Sequence, residues 1–236
     1  MNFPLIRYAA AALVLIGITL TYYLLTPNYT VHRTGFGETQ SLDLPDGSKV
    51  ILAANSEIKY IDDAFDQSER AVQLTGQAFF DVKKGTGFEV ITSEGTVRVL
   101  GTTFDVSQRE AFLQVICYTG SVGVQNATIN QLLAPQDALR LIDGKLDLNW
   151  KTEGSEPTWL NGITEINEAN LAIAIEALRN IYGIEIISSM DLTTVPFDGA
   201  FPHNNLDIAL QSVLGTENIS YTYEKNKAIL RIKVKP

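Results

Sequence analysis

The region between residues 44 and 149 is a series of short apolar segments separated by turn residues. Segments such as VILAAN, AVQLTG and LQVICY are rich in β-branched and aromatic residues, and several alternate apolar with polar positions, as half-buried strands do. Pro45-Asp46-Gly47 and Asp143-Gly144 are typical turn sequences. No helical pattern of ten residues occurs in this region. The sequence therefore predicts an all-β domain, either a sandwich or a solenoid-like sheet.

The pattern changes after Trp159 to one that mixes strands with helices. NEANLAIAIEALRNIYG predicts an amphipathic helix that ends at Gly183, and LDIALQSVLG predicts a shorter one that ends at Gly215. The apolar face of the first helix consists of Leu171, Ala174, Ile175, Leu178 and Tyr182. With the intervening extended segments, the predicted order is β-α-β-β-α-β-β, closing in a hairpin about Lys225-Asn226. This order predicts a small α+β domain whose helices pack on one face of a sheet.

The N-terminal segment carries no charge from Tyr8 to Leu25. Eighteen helical residues would span about 27 Å, close to the hydrocarbon thickness of a bilayer. Arg7 precedes the run, which favours an N-terminus in the cytoplasm and the rest of the chain outside. We therefore expect a single-pass membrane helix over these residues. A cleaved signal peptide is the alternative, although no clear small-x-small cleavage site follows the run.

These patterns give a five-part organisation for the 236 residues. We predict a membrane anchor (1–28), a polar stalk (29–43), the all-β domain (44–149), a polar linker (150–158) and the α+β domain (159–236).

The composition argues against several functional classes. Acidic residues exceed basic ones by nine, whereas a general nucleic-acid binder shows a basic face. Phosphate-binding glycine motifs, zinc-protease motifs and cysteine pairs are missing from the sequence, and His32 and His203 lie in different predicted domains. The sequence thus predicts no enzyme, no cofactor, no metal and no nucleic-acid partner. A periplasmic enzyme that uses paired carboxylates on a glycan remains a minor alternative.

Two further features are open to more than one interpretation. Cys117 is the single cysteine, and its apolar neighbours predict a buried strand position in preference to a reactive thiol. At the C-terminus, basic residues alternate with Leu230, Ile232 and Val234. This last strand is either a sheet edge protected by basic side chains or an edge that accepts a partner strand. The basic residues of this tail are Lys225, Lys227, Arg231, Lys233 and Lys235.

A series of motifs resembles the FecR family. LPDGSKVILAANSEIKY at 44–60 is similar to the opening segment of that family, and GQAFFDV at 76–82 resembles its G-E-A-F-F-D-V. FEVIT at 88–92, VLGTTFDV at 99–106 and the G-x-V-x-V at 120–124 follow in the family's order. The later Trp159, Gly162, Tyr182-Gly183 and Phe197-x-Gly199 resemble the C-terminal domain of Bacteroidetes-type members, which is similar to the short signalling domain of secretins and TonB-dependent transporters.

The chain departs from the family pattern at five positions, which indicates a divergent member. Alanine stands where asparagine is common, glutamine replaces glutamate, glycine replaces proline, aspartate replaces asparagine, and glutamine stands where glycine often follows the proline. These positions are, in that order, Ala53, Gln77, Gly87, Asp105 and Gln136.

The resemblance implies a transmembrane regulator of an extracytoplasmic-function sigma factor. Its periplasmic part would contact the signalling domain of an outer-membrane TonB-dependent transporter, and the chain would sit in the inner membrane. About seven residues precede the predicted anchor, too few for a sigma-binding domain. Either the start is truncated or this protein has lost that domain, so the sigma-factor partner is implied by the resemblance alone. A periplasmic interaction or scaffold protein without sigma-factor control is therefore the alternative. The candidate partner-binding residues lie in two stretches, 159–166 and 228–234: Trp159, Leu160, Ile163, Ala228, Leu230, Arg231 and Ile232.

Overall fold

The computed structural model describes residues 3–25, 29–65, 70–110, 112–215 and 219–234. Within these residues, thirteen strands and one short helix, α2 (Asp62–Phe65), form the first domain. The strands are β1 (Tyr29–Arg33), β2 (Gln40–Asp43), β3 (Lys49–Leu52), β4 (Glu57–Ile61), β5 (Arg70–Asp81), β6 (Phe88–Ile91), β7 (Thr96–Val99), β8 (Thr103–Arg109), β9 (Phe112–Cys117), β10 (Val122–Gln125), β11 (Asn130–Leu133), β12 (Asp137–Ile142) and β13 (Lys145–Lys151).

Strand β5 joins two layers of this domain. Its first half pairs with β4 and β6, and its second half, from Gly76, pairs with β8 and β3. One layer has the order β1-β4-β5-β6-β7-β10-β11 and the other β2-β3-β5-β8-β9-β12-β13. Gly76 has φ +103°, and a Cβ there would lie 2.7 Å from the Cα of Ser56. A glycine is therefore required where the strand passes from one layer to the other.

The apolar side chains of both layers form one core. Burial alternates along β5, as expected for a strand with one face inward. Val72 and Leu74 from the first layer share a cluster with Phe80 and Phe104 from the second, and the Phe80 and Phe104 rings stack with centroids 5.0 Å apart. The predicted all-β domain is confirmed, as a sheet curled into two layers. Cys117 is fully buried in β9, as predicted.

The second domain has the predicted order of elements. It contains β14 (Ile163–Asn170), α3 (Leu171–Tyr182), β15 (Glu185–Ser188), β16 (Pro196–Pro202), α4 (Leu206–Leu214), β17 (Ile219–Glu224) and β18 (Ile229–Val234), with 3-10 turns at Thr158–Asn161, Leu192–Thr194 and Lys225–Lys227. The strands form two small sheets, β14-β16 and β15-β18-β17, where we predicted one. The helices bury their apolar faces in a second core.

Local sequence signals set the ends of α3. The side chain of Asn170 accepts a hydrogen bond from the Ile173 N–H at 3.2 Å, as an N-cap does. Gly183 ends the helix in the left-handed conformation, φ +63°, and donates its N–H to the Arg179 carbonyl. The buried face carries Leu171, Ala174, Ile175 and Leu178, so the predicted apolar stripe is confirmed at these positions.

Three boundary and edge predictions are wrong. Residues 29–43 are not a stalk, because β1 pairs with β4 and β2 pairs with β3. The linker is shorter than 150–158, since β13 continues to Lys151 and a 3-10 turn begins at Thr158. Strand β18 is not a sheet edge, because β15 and β17 flank it.

The N-terminal helix α1 spans Phe3–Leu25. Over the residues that the structure describes, no helix is both long and apolar enough to cross a membrane. The predicted anchor is therefore not confirmed.

Candidate functional site

Strand β8 is buried on both faces, and this marks the junction between the domains. Successive strand residues point to opposite faces. Phe104 and Val106 lie in the core between the layers, whereas Asp105 and Ser107 lie on the outer face. Both outer-face residues are nonetheless buried, because the second domain covers them.

Trp159 is the residue of the second domain that contacts Asp105. It lies in the 3-10 turn before β14 and is 8% exposed. Its indole Nε1 donates a hydrogen bond to Oδ1 of Asp105 at 2.9 Å. The turn ends at Gly162 with φ +76°, a conformation that favours glycine. The indole is thereby held against the outer face of β8.

The hydrogen bonds to the carboxyl group of Asp105 come from uncharged donors. Gln77 Nε2 on the neighbouring strand β5 donates to Oδ2 at 3.0 Å. Burial raises the pKa of Asp105 to about 7, and the hydrogen bonds from Gln77 and Trp159 and the charge of Arg109 oppose the shift. Burial prevails because removing a carboxylate from water disfavours its charged form.

Arg109, at the end of β8, holds the adjacent loop of the first domain. Its guanidinium donates to the carbonyls of Asn55 (2.5 Å) and Ala54 (2.8 Å) and to Oγ of Ser56 (3.1 Å). Burial lowers its pKa to about 10; Glu176 and Asp105 act in the opposite direction, and Arg179 adds to the lowering. The side chain therefore fixes this loop beneath helix α3.

Helix α3 contacts the same loop. Asn55 Nδ2 donates to Oδ1 of Asn180 at 2.8 Å, and the Gly37 N–H donates to the Asn180 carbonyl at 3.0 Å. At the rim, Arg179 and Glu110 form an ion pair of 3.1 Å. Exposed ion pairs of this kind contribute little, so the buried contacts of Asn180 carry more of the docking energy.

Glu176 lies one turn before Asn180 on α3 and is only 13% exposed. Burial and the charge of Glu110 raise its pKa to about 7, while Arg109 and Arg179 oppose the shift. Two acidic side chains with raised pKa values, Asp105 and Glu176, thus lie at one junction.

Arg140 clamps the two domains together at a second place, apart from the Asp105–Trp159 contact. Its side chain is 1% exposed and pairs with Asp147 at 2.7 Å. It also donates to the carbonyls of Asn167, at 3.0 Å, and Glu168 in the second domain. These carbonyls lie in a β-bulge of β14, where Glu168 has φ +42°. The bulge turns two backbone acceptors toward one guanidinium.

A cavity of about 130 Å³ lies between the turn that carries Trp159, the outer face of β8 and helix α3. Its apolar walls include Phe112, Trp159 and Ile173, and Arg109 and Asn180 are among its polar lining. Both domains therefore contribute to it.

The first domain matches a known family. Residues 30–123 match the family model described as FecR protein. These residues form a FecR domain. The match begins within β1, which agrees with the strand pairing of the segment predicted to be a stalk.

The fold of the FecR domain together with the second domain also occurs in solved structures. Two crystal structures of a candidate anti-sigma factor from Parabacteroides distasonis ATCC 8503 superpose with TM-scores of 0.79 and 0.78. Each is 24% identical to this chain. The superpositions include 89% and 88% of this chain and all of each solved chain. At this identity the likeness establishes a shared fold. No curated protein sequence matches the chain significantly.

Two departures from the FecR pattern meet in the structure. The resemblance described above implies glutamate where this chain has Gln77, and asparagine where it has Asp105. The two side chains are hydrogen-bonded to each other. In this chain the pair combines one carboxyl with one amide. This coincidence was visible in the sequence, but only strand pairing shows that the residues are neighbours.

The structure separates the predicted partner-binding residues. Trp159 is buried against the FecR domain, Leu160 is partly exposed and Ile163 is 46% exposed at the start of β14. Leu230 and Ile232 lie in the second core. Ala228 is partly buried, and Arg231 is exposed and pairs with Glu224 at 2.8 Å. Partner binding by these residues stays a prediction.

The ends of the predicted membrane run lie in α1. Tyr8 is exposed, and the side chain of Leu25, like residue Lys235 of the basic tail, lies outside the described part. Sequence analysis missed Asp105, Arg109, Arg140, Glu176 and Asn180 as junction residues. Each is a polar residue in or beside an apolar segment, a pattern that does not by itself reveal a partner.

Proposed function

We propose that this chain is the signal-receiving part of a sigma-factor regulator. The FecR domain and a fold shared with candidate anti-sigma factors support this. The proposal rests mainly on the buried polar junction around Asp105 and Trp159, because this junction holds the two domains together. A contact on the second domain can then change the position or stability of the FecR domain.

The junction suits transmission because its polar groups depend on docking. When the domains separate, water can reach Asp105, Arg109 and the bulge carbonyls that bind Arg140. When the domains dock, each of these groups needs its partner in the protein. Buried polar groups that lose a partner are costly, so intermediate positions of the domains are disfavoured. The junction would then favour two states, docked and separated.

We further propose that α1 anchors the chain in the inner membrane, with the two domains in the periplasm. Apolar side chains of α1 such as Leu13, Leu15 and Ile16 are 59–70% exposed, and burying such surface in lipid is favourable. Arg7 supports the orientation, because positive residues stay on the cytoplasmic side.

The proposed partner is the signalling domain of a TonB-dependent outer-membrane transporter. The second domain has two small sheets whose flanking strands, among the described residues, pair on one side only: β14 and β16 in one, β15 and β17 in the other. An extended partner segment could add to such an edge. Of the predicted set, Ile163 is exposed on the flanking strand β14 and would contribute a side-chain contact, whereas Arg231 is exposed on the central strand β18.

Deletion of the gene in its host tests the proposal. The regulator function requires that transcription of a small gene group changes, and that the full-length chain restores it. Affinity purification of the full-length chain from membranes should recover a sigma factor, directly or through another protein. Unchanged transcription together with no sigma factor would favour the alternative, a periplasmic interaction module without sigma-factor control.

A further inference from the structure

A small acidic pocket lies beside the Asp105–Trp159 contact, separate from the larger cavity. It has a volume of about 70 Å³ and is lined by both domains and by the segment between them. The carboxyl groups in its lining are those of Asp105, Glu153, Glu156 and Glu165. None of the described residues that line it is basic. Arg109, whose charge acts on Asp105, lines the larger cavity instead. The pocket therefore favours a positive charge.

Tyr118 contributes an unpaired hydroxyl group to this lining. The residue is 6% exposed and is one of the pocket walls. Cys117 points into the core, so Tyr118 points to the outer face that the second domain covers. Within the described part of the chain its hydroxyl makes no hydrogen bond, and it is not one of the unpaired atoms that are fully buried, so an occupant can reach it.

The phenol of Tyr118 also lies close to the acidic groups. Burial raises its pKa, and the charges of Asp105, Glu165 and Glu156 raise it further. All three of these carboxyl groups belong to the pocket lining. The hydroxyl is therefore directed into the pocket, where a donor that carries a positive charge would have both an acceptor and opposite charges around it.

The remaining walls suit an organic cation better than a metal ion. The rings of Tyr118 and Trp159 line the pocket together with Ile116 and Pro157. Aromatic faces attract cations, and apolar walls bury carbon atoms favourably. Ca²⁺ and Mg²⁺ instead require a shell of oxygen ligands. An ammonium group also suits the polar part of the lining, because it carries three donors for the phenol oxygen and the carboxylates.

We propose that this pocket binds the ammonium group of a small alkylamine. An engineered cavity of about 150 Å³ holds benzene, so a pocket of about half that volume holds about three non-hydrogen atoms, the size of ethylammonium. Its nitrogen would donate to the hydroxyl of Tyr118 and face the carboxyl groups, and its carbon atoms would contact the ring of Trp159. The ammonium group can belong to a free amine or to the end of a partner's lysine side chain.

Occupancy would be coupled to docking of the domains. Asp105 and Tyr118 come from the FecR domain, whereas Trp159 and Glu165 come from the second domain. Docking brings their carboxyl groups together, and a cation between them offsets the repulsion. A ligand that contacts both domains stabilises the docked state by mass action. This inference goes beyond the sigma-regulator proposal and does not depend on it.

The test is a titration of the full-length chain with ethylammonium chloride in a maltoside detergent, which carries no ammonium group. Labelling with ¹⁵N-tryptophan gives one indole N–H signal for each of the two tryptophans, and Trp150→Phe assigns them. We expect a saturable shift of the Trp159 signal, with Trp150, which lies outside the lining, as the internal reference. Sodium chloride, ethanol and sodium acetate serve as inorganic, uncharged and anionic probes and should cause no saturable shift.

Two matched pairs of variants locate the site. Tyr118→Phe removes the hydroxyl, keeps the ring and should weaken binding about tenfold. Tyr221→Phe makes the same change on β17, outside the lining, and should leave binding unchanged. Glu165→Gln should weaken binding about threefold, whereas Glu185→Gln makes the same change in net charge at the start of β15 and should have no effect. Circular dichroism checks that each variant is folded.

A lysine derivative distinguishes the two sources of the ammonium group. N-acetyl-lysine methylamide presents the same group on a peptide backbone. Tighter binding of this compound than of ethylammonium would support a lysine from a partner protein, and weaker binding would support a free amine.

Three results would overturn the proposal. One is the absence of a saturable shift when ethylammonium is added to the wild-type chain. Another is equal ethylammonium binding by wild type and by folded Tyr118→Phe and Glu165→Gln, which would place the contact elsewhere, since Tyr118 lines this pocket and not the larger cavity. A shift that sodium chloride or ethanol reproduces would show that the pocket does not select an organic cation.

Discussion

Trp159 donates its indole Nε1 hydrogen to Oδ1 of Asp105 at 2.9 Å, across the boundary between two domains, and both residues are buried. The bond joins residues 54 positions apart and holds the turn before β14 on the outer face of β8. Arg140 and Asn180 fix the second domain at two further points.

Trp159→Phe should destabilise the chain by about 1–3 kcal/mol, because it leaves an oxygen of Asp105 buried without its donor. Urea unfolding measures the change. Trp150→Phe is the matched control, since the Trp150 Nε1 has no partner among the described residues and its ring can still lie beside Arg140. Equal losses in the two variants would show that ring size, not the hydrogen bond, accounts for the effect.

Stability should fall as pH rises from about 4 to about 7. The pKa of Asp105 is raised from 3.8 to about 7, so the folded chain binds more protons than the unfolded chain in this range. The contribution is fully present below the unfolded pKa and is lost as pH rises through the folded pKa. Glu176 acts in the same direction. Urea unfolding at several pH values checks this dependence.

Asp105→Asn should flatten that pH dependence and retain the fold. Asparagine is the residue of the FecR pattern at this position, and its Oδ1 can still accept from Trp159. Gln77 can rotate its amide to accept from the new Nδ2, because both amide atoms can take part in hydrogen bonds. Adding Glu176→Gln to this variant should further reduce the slope of the free energy of unfolding against pH. A slope that is unchanged in the double variant would show that other groups cause it.

Arg140→Met should destabilise the chain by about 2 kcal/mol or more, since it removes charged hydrogen bonds to two carbonyls and leaves Asp147 without its partner. It should also increase protease cleavage in the polar segment 152–157. Arg98→Met is the control, because the Arg98–Glu89 pair is exposed on the FecR domain and should cost no more than about 1 kcal/mol. Similar cleavage in both variants would argue against a clamp by Arg140.

Alkaline phosphatase fused after the last residue of the full-length chain should be active in cells, because we propose that the two domains are periplasmic. A fluorescent protein that folds only in the cytoplasm, fused at the same site, should stay dark. Inactive phosphatase together with a fluorescent reporter would reverse the proposed orientation.

The order of elements could be predicted from the sequence because it depends on local patterns. The segments AVQLTG and AFFDV predicted two strands, which the structure joins into β5. The stripe of Leu171, Ile175 and Leu178 predicted a helix, and Gly183 predicted its end. The predicted stalk was wrong for a related reason. Short polar strands such as β1 and β2 have weak local patterns, and their pairing with β4 and β3 stabilises them.

The junction could not be predicted, because it depends on residues that only the chain fold brings together. Gln77 and Asp105 were visible in the sequence only as two separate departures from the resemblance. The pairing of β5 with β8 makes them neighbours, and docking of the second domain adds Trp159. Likewise, the alternation in β18 predicted one apolar face, but the flanking strands decide that it is central. Periodicity fixes which face of an element is apolar, whereas long-range packing decides what covers the other face.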